Sequence, residues 1–252
     1  MINWREKFVA FLFHFLTTLV IAAAAAALVF LVWYPDPFDA MAGGFKFFLL
    51  IISCDLVLGP LLSFVIYNSK KTRRALILDY TIVGIVQFAA LAYGIHALQG
   101  SRPVYVAFIA DRLEVISAGE IDKADLKDGK PPFRTLPTWG PELIGTQRPT
   151  DTKEANDLLF SSLEGKDINV LPRYYVPYEA VVDEVKRKAK PIDALERKHR
   201  ESKPLVAEAL ADLGVSPADV RWLPVQTRRS FWTALIDVRT WRPVYYLPID
   251  PF

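Results

Sequence analysis

Residues 45–67 read FKFFLLIISCDLVLGPLLSFVIY, an apolar run long enough to cross a membrane, with one acidic residue, Asp55, near its middle. At a rise of about 1.5 Å per residue, Asp55 lies about 18 Å from the end of the run that precedes the cations at 70–74. Ionisable groups at this depth are energetically expensive and commonly serve a function. Asp55 is therefore the first candidate functional residue.

Two more apolar runs flank this one, at residues 8–34 and about 76–98. The run at 8–34 is longer than the ~7–15 apolar residues of a secretory signal, so we interpret it as a retained anchor. The sequence thus predicts a membrane protein with three transmembrane α-helices within residues 1–99, with crossings at about 8–34, 45–67 and 76–98. Residues 100–252 are polar enough to form one soluble domain.

The distribution of basic residues predicts the orientation. Cations lie at 5–7 before the first run and at 70–74 between the second and third, whereas the loop at 35–44 carries acid and no base. Cytoplasmic loops of membrane proteins are enriched in Lys and Arg. We therefore expect a cytoplasmic N-terminus and a domain 100–252 outside the cytoplasm.

Composition argues against several function classes. Domain 100–252 contains as many acidic as basic residues, which gives no electrostatic case for a nucleic-acid partner. The one cysteine, Cys54, lies in the second run, and no histidine cluster favours a metal site or cofactor. Asp55 and Asp79 differ in depth by about 10 Å, whereas a protease dyad needs about 3 Å. We therefore predict no enzymatic activity.

Domain 100–252 is predicted to be α+β, with an antiparallel sheet. Short β-type segments on either side of a turn predict a hairpin from 104–110 and 113–117, and a second from 231–238 and 243–249. A helix is expected to end at 163, and Pro191 and Pro204 should divide the helical region 178–213 into about three pieces.

Two interpretations of Asp55 remain open. Its carboxyl group either hydrogen-bonds a neighbouring helix or meets a cation carried by a partner protein. The candidates for an internal contact are His14, Thr17, Thr18 and Gln87. The adjacent Gly59-Pro60 pair predicts a bend that would make a docking notch.

Several short motifs follow one another along the chain. They are Val32-Trp33-Tyr34-Pro35, DLVLGPLL at 55–62, Gln87 with AYG at 92–94, Arg102-Pro103-Val104-Tyr105 with Phe108, DRLEV at 111–115, Glu120-Ile121, WLPV at 222–225 and Asp250-Pro251-Phe252. Their order and spacing resemble the type IV pilin accessory proteins of the TfpX/TfpZ kind, which are inner-membrane proteins of Gram-negative bacteria. The resemblance extends from end to end and is weakest at about 125–215.

The resemblance implies an inner-membrane chaperone with a periplasmic C-terminal domain, which stabilises a specific major type IV pilin before assembly. Its partners would be membrane lipid and the pilin, through the pilin's transmembrane helix and periplasmic head. The implied partner-binding residues are Asp55, Gly59, Pro60, Gln87, Arg102, Tyr105, Asp111 and Glu114. The alternatives are a membrane-tethered periplasmic enzyme or ligand sensor, and a transporter subunit that uses Asp55.

Overall fold

The computed structural model describes residues 4–68 and 70–252, and the chain forms two compact units, Met1–Ser101 and Arg102–Phe252. The first unit is helical. Its helices are α1 (Trp4–Ala27, continued by a π-helical segment Leu28–Trp33), α2 (Phe38–Ala42), α3 (Gly44–Ile66) and α4 (Arg73–Ser101). The three long helices are apolar enough to cross a membrane.

Helix α3 is the central helix of the first unit and packs against both α1 and α4. Gly94 allows α4 to approach closely, because a Cβ atom there would lie 2.7 Å from the side chain of Ile51. After the π-helical segment, the Tyr34 hydroxyl donates to the carbonyl of Leu98 at 2.8 Å. These contacts join all three long helices at one end of the unit.

The second unit contains a mixed eight-stranded sheet and four α-helices. Its strands are β1 (Pro103–Ile109), β2 (Arg112–Ser117), β3 (Glu142–Thr146), β4 (Tyr175–Pro177), β5 (Lys190–Pro191), β6 (Val220–Gln226), β7 (Phe231–Asp237) and β8 (Pro243–Leu247). Its helices are α5 (Thr152–Leu163), α6 (Val182–Lys188), α7 (Ile192–Lys198) and α8 (Lys203–Leu213).

The strand order is β4-β3-β1-β2-β6-β7-β8, with β5 on β6. Both predicted hairpins are confirmed, since β1 pairs antiparallel with β2 and β7 with β8. The prediction of an antiparallel sheet is wrong, because β1 pairs parallel with β3 and β2 pairs parallel with β6. The long connections between these strands allow parallel pairing, which a short hairpin turn cannot provide.

The core of the second unit lies in two clusters of buried apolar side chains. In one, Tyr105, Phe133 and Tyr175 pack edge to face with ring centroids 5.3–6.3 Å apart. In the other, α7 and α8 cover Trp222 and neighbouring residues of the sheet. The predicted division of 178–213 is confirmed, as Pro191 directly precedes α7 and Pro204 lies in the first turn of α8.

Candidate functional site

A groove with a volume of ≈ 1050 Å³ lies between α1 and α4 of the first unit, with α3 contributing to its lining. Its walls are mainly apolar and it is partly open. The lining residues are Arg5, Glu6, Val9, Ala10, Phe13, His14, Thr17, Thr18 and Ile21 from α1, Asp55 from α3 with Tyr67 beyond its end, and Tyr80, Gly84, Gln87, Phe88 and Leu91 from α4.

A chain of hydrogen bonds connects the three helices beside this groove. Ser63 Oγ lies 2.6 Å from His14 Nδ1, and His14 Nε2 lies 2.9 Å from Gln87 Oε1. The Gln87 amide nitrogen donates to the backbone carbonyl of Asp55 at 3.4 Å. Because an amide oxygen only accepts, His14 Nε2 carries a hydrogen and donates it to Gln87. The ring of His14 thus connects Ser63 of α3 with Gln87 of α4.

Gly59 makes room for this network. A Cβ atom at Gly59 would lie 2.2 Å from the Gln87 amide nitrogen and 2.9 Å from His14 Nε2. The two polar side chains therefore meet over a part of α3 that carries no side chain. Pro60 is buried next to it, and α3 continues through Pro60 to Ile66.

Asp55 is the exception in this polar region. It occupies the midpoint of α3, is 8% exposed and lines the groove. Among the described residues, none forms a hydrogen bond or ion pair with its carboxyl group. The Gln87 amide reaches only the backbone of Asp55, and the Thr17 hydroxyl donates to Phe13 O at 2.9 Å. The candidate internal partners thus leave the carboxyl group unpaired.

A second acidic side chain lines the groove near the start of α1. Glu6 Oε2 is buried, with no hydrogen-bond partner in the part of the chain that the structure describes. The neighbouring Lys7 turns to α3 instead, where its ammonium donates to Phe64 O at 3.2 Å. Glu6 is not among the functional residues predicted from the sequence. Glu6, Ala10, Phe13 and Thr17 share one face of α1, and this spacing could have identified Glu6 from the sequence.

The candidate residues in the second unit do not form one site. The Arg102 guanidinium donates to Pro137 O at 2.6 Å, and the Tyr105 hydroxyl to Thr135 O at 3.3 Å. Burial, reinforced by Glu142, raises the pKa of Tyr105 to about 12. These two residues therefore fasten the loop that follows Phe133 to the first strand.

The other two candidates are on β2 and in the turn before it. Asp111 is exposed and pairs with Arg112 at 3.0 Å. Glu114 is partly buried and accepts from the Asn169 amide at 3.2 Å, and burial raises the pKa of its carboxyl group. In the described part of the chain, no group of three or more His, Cys, Asp or Glu side chains is placed to hold a metal ion.

The matching family model and the matching relatives are all described as fimbrial assembly proteins. Residues 2–43 match the family described as "Fimbrial assembly protein FimB". The chain is 31% identical over 226 residues to the fimbrial assembly protein of serogroup I from Dichelobacter nodosus, covering 89% of this chain and 88% of the relative. It is 30% identical to the serogroup E1 protein of the same organism, with the same coverage of both chains.

A third relative, the fimbrial assembly protein of serogroups C1 and C2 from Dichelobacter nodosus, is 40% identical over 108 residues, or 43% of this chain and 82% of the relative. No solved structure matches the chain. Two relatives at 30% identity or more cover most of both chains, so the resemblance to pilus accessory proteins is confirmed. The chain belongs to the FimB family of fimbrial assembly proteins, a type IV pilus accessory and assembly family.

Proposed function

We propose that this protein binds a specific major type IV pilin in the inner membrane and stabilises it until the pilin is assembled into the pilus. The observation that carries the proposal is the partly open, mainly apolar groove between α1 and α4, in a chain whose relatives are named fimbrial assembly proteins. Family membership supports a role in pilus assembly, and the groove offers a place for a membrane helix of the subunit.

The dimensions of the groove suit a helix. Its lining residues on α1 extend from Arg5 to Ile21, which corresponds to about 24 Å or more than four helical turns. Side chains of a docked helix would fill the groove, as in other complexes in which an apolar helix occupies an apolar groove. Gly84 adds a flat part of the α4 wall, since no atom lies within 4 Å of a Cβ built there.

We infer an orientation with the N-terminus in the cytoplasm and the second unit in the periplasm. The bond from Lys7 to Phe64 O brings the start of α1 beside the end of α3. The cations at 5–7 and 70–74 therefore belong to the same end of the helical unit, which is the arrangement that the positive-inside rule favours. The pilin head would then contact the second unit, where Asp111 is the exposed member of the four candidates.

Purification from native membranes tests the function. The full-length protein is isolated in mild detergent from cells with and without the pilin, and copurifying proteins are identified. We expect the pilin at a near-stoichiometric level, and an unrelated inner-membrane protein isolated in parallel should not retain it. If the pilin is absent while other membrane complexes survive, the proposal is wrong and the enzyme or sensor alternative gains support.

Cysteine labelling tests the orientation. With Cys54→Ser as background, cysteines are introduced separately by Glu164→Cys, on the exposed end of α5, and by Lys70→Cys. We expect a membrane-impermeant maleimide to label the cysteine at 164 in intact spheroplasts, and the cysteine at 70 only after lysis. The reverse pattern would place the second unit in the cytoplasm.

A further inference from the structure

The carboxyl group of Asp55 borders the groove and has no partner in the described part of its own chain. The residue lies at the midpoint of a membrane-spanning helix and is 92% buried. A polar group removed from water needs a partner, because an unsatisfied carboxyl group in apolar surroundings is costly. In the described residues its own chain supplies none, since the Gln87 amide bonds the backbone carbonyl of Asp55, and His14 bonds Ser63 and Gln87.

The charges along the groove indicate which partner fits. Two acidic side chains, Asp55 and Glu6, line it, and Glu6 Oε2 also lacks a hydrogen-bond partner in the described chain. The one Lys or Arg side chain in the lining is Arg5, which is exposed at the start of α1. By the antiparallel pairing of His14 with Ser63, the level of Asp55 lies about eight residues further along α1 than His14, which is about 25 Å from Arg5. The described lining therefore places no Lys or Arg side chain at the level of Asp55.

We propose that the groove receives an apolar transmembrane helix that carries a protonated amine or guanidinium group within its span, and that this cation pairs with Asp55. The inference rests on the proposed function and specifies the chemistry of the pilin segment that binds. A lipid tail matches the apolar walls but offers nothing to the carboxyl group. Glu6 would meet the basic residues that membrane helices carry at their cytoplasmic end.

The first test determines what occupies the groove. A photo-crosslinking amino acid replaces Phe88, which is 74% exposed on the α4 wall, or Val86, which is 63% exposed on the same helix outside the lining. In membranes that contain pilin, we expect a crosslink to the pilin's membrane helix from position 88 and not from position 86. Crosslinks from position 88 only to lipid, or only to a second copy of this protein, would overturn the inference.

The second test addresses the cation. We expect Asp55→Asn to reduce the crosslinked pilin at least about tenfold, equivalent to about 1.4 kcal/mol, while Asp55→Glu retains most of it. Asp79→Asn is the matched control, because Asp79 is partly exposed and pairs with Lys71 at 2.6 Å. Neutralising the basic group of the pilin helix should cause the same loss, with no further loss when it is combined with Asp55→Asn.

Steric closure gives an independent variant. Gly84→Phe projects a ring into the groove and should abolish the crosslink from position 88, whereas Gly100→Phe also meets open space but lies outside the lining. Pilin binding that is unchanged in both Asp55→Asn and Gly84→Phe would overturn the inference and leave the proposed function intact. If the unmodified protein does not copurify with the pilin, both the inference and the proposed function are wrong.

Discussion

Asp55 in the helical unit and Glu114 in the sheet unit are two acidic side chains withdrawn from water, and only one of them is paired within its own chain. Glu114 accepts from Asn169 at 3.2 Å and lies beside the cation of Arg112. Asp55 is more deeply buried and has neither contact among the described residues. Glu114 thus has a partner within the fold, whereas our proposal gives Asp55 a cation from another protein as its partner.

Other buried polar groups support this distinction. In the sheet unit, the Thr146 hydroxyl donates to Phe108 O at 3.0 Å and the Thr233 hydroxyl to Ile249 O at 2.9 Å. In the helical unit, Ser63 and Gln87 both bond the ring of His14. These groups have partners within the chain, as buried polar groups commonly do, and the carboxyl group of Asp55 differs from them.

The largest expected effect comes from removing the network that surrounds Asp55. In Gly59→Leu the side chain must displace Gln87 and His14, so we expect the helical unit to lose about 3 kcal/mol or more. The loss is measured as a lower apparent melting temperature of the full-length protein in detergent. Gly100→Leu is the control, since a side chain there meets open space. Equal melting temperatures for the two variants would show that the network contributes no stability.

Asp55→Asn directly tests the difference between Asp55 and Glu114. If Asp55 awaits an external cation, removing its charge should stabilise the pilin-free protein, by about 1–2 kcal/mol, because an unpaired buried acid is replaced by a neutral amide. Thermal unfolding in detergent, in the absence of pilin, measures this change. A clear decrease in stability would mean that Asp55 has an internal structural partner, and the contrast with Glu114 would then fail.

Glu114→Gln gives the smallest effect, about 0.5–1 kcal/mol. Burial raises the pKa of Glu114 above its ordinary value of 4.5, so the folded state retains a proton that the unfolded state has lost. The resulting stabilisation is complete below pH 4.5 and is lost as the pH rises through the higher folded-state pKa. Relative to the wild type, the variant should therefore gain stability as the pH rises above 4.5.

Urea unfolding of the full-length protein, followed by tryptophan fluorescence at several pH values, measures this difference. Asp111→Asn provides the control, because Asp111 is exposed and its substitution should shift the curve little at any pH. If the difference in unfolding free energy between wild type and Glu114→Gln does not depend on pH, folding does not raise the pKa of Glu114 and the prediction is wrong.

The sequence predicted those features that depend on local pattern. Apolar length identified the three helices, short β-type segments beside turns identified the two hairpins, and the depth of Asp55 identified it as unusual. The mixed sheet escaped prediction because the pairing of β2 with β6 joins residues more than a hundred positions apart, and no local pattern encodes such a contact.

The candidate site was predicted in part for a similar reason. Gly59 and Gln87 meet beside Asp55 because helical packing brings them together. Glu6 was missed because an acid beside two basic residues at a helix start is typical of a solvated flank. Arg102 and Glu114 are close in sequence, but their side chains contact different loops, at Pro137 and Asn169.

The parallel pairing of Leu113 with Val225 also has a consequence for biosynthesis. The first hairpin leaves the ribosome early, but the strand that covers its β2 edge is among the last parts of the chain to be made. Until then that edge has unpaired backbone groups, which can join strands of other nascent chains. The sheet can therefore close only after nearly complete translation, so a chain truncated before β6 would be an aggregation hazard rather than a smaller working domain.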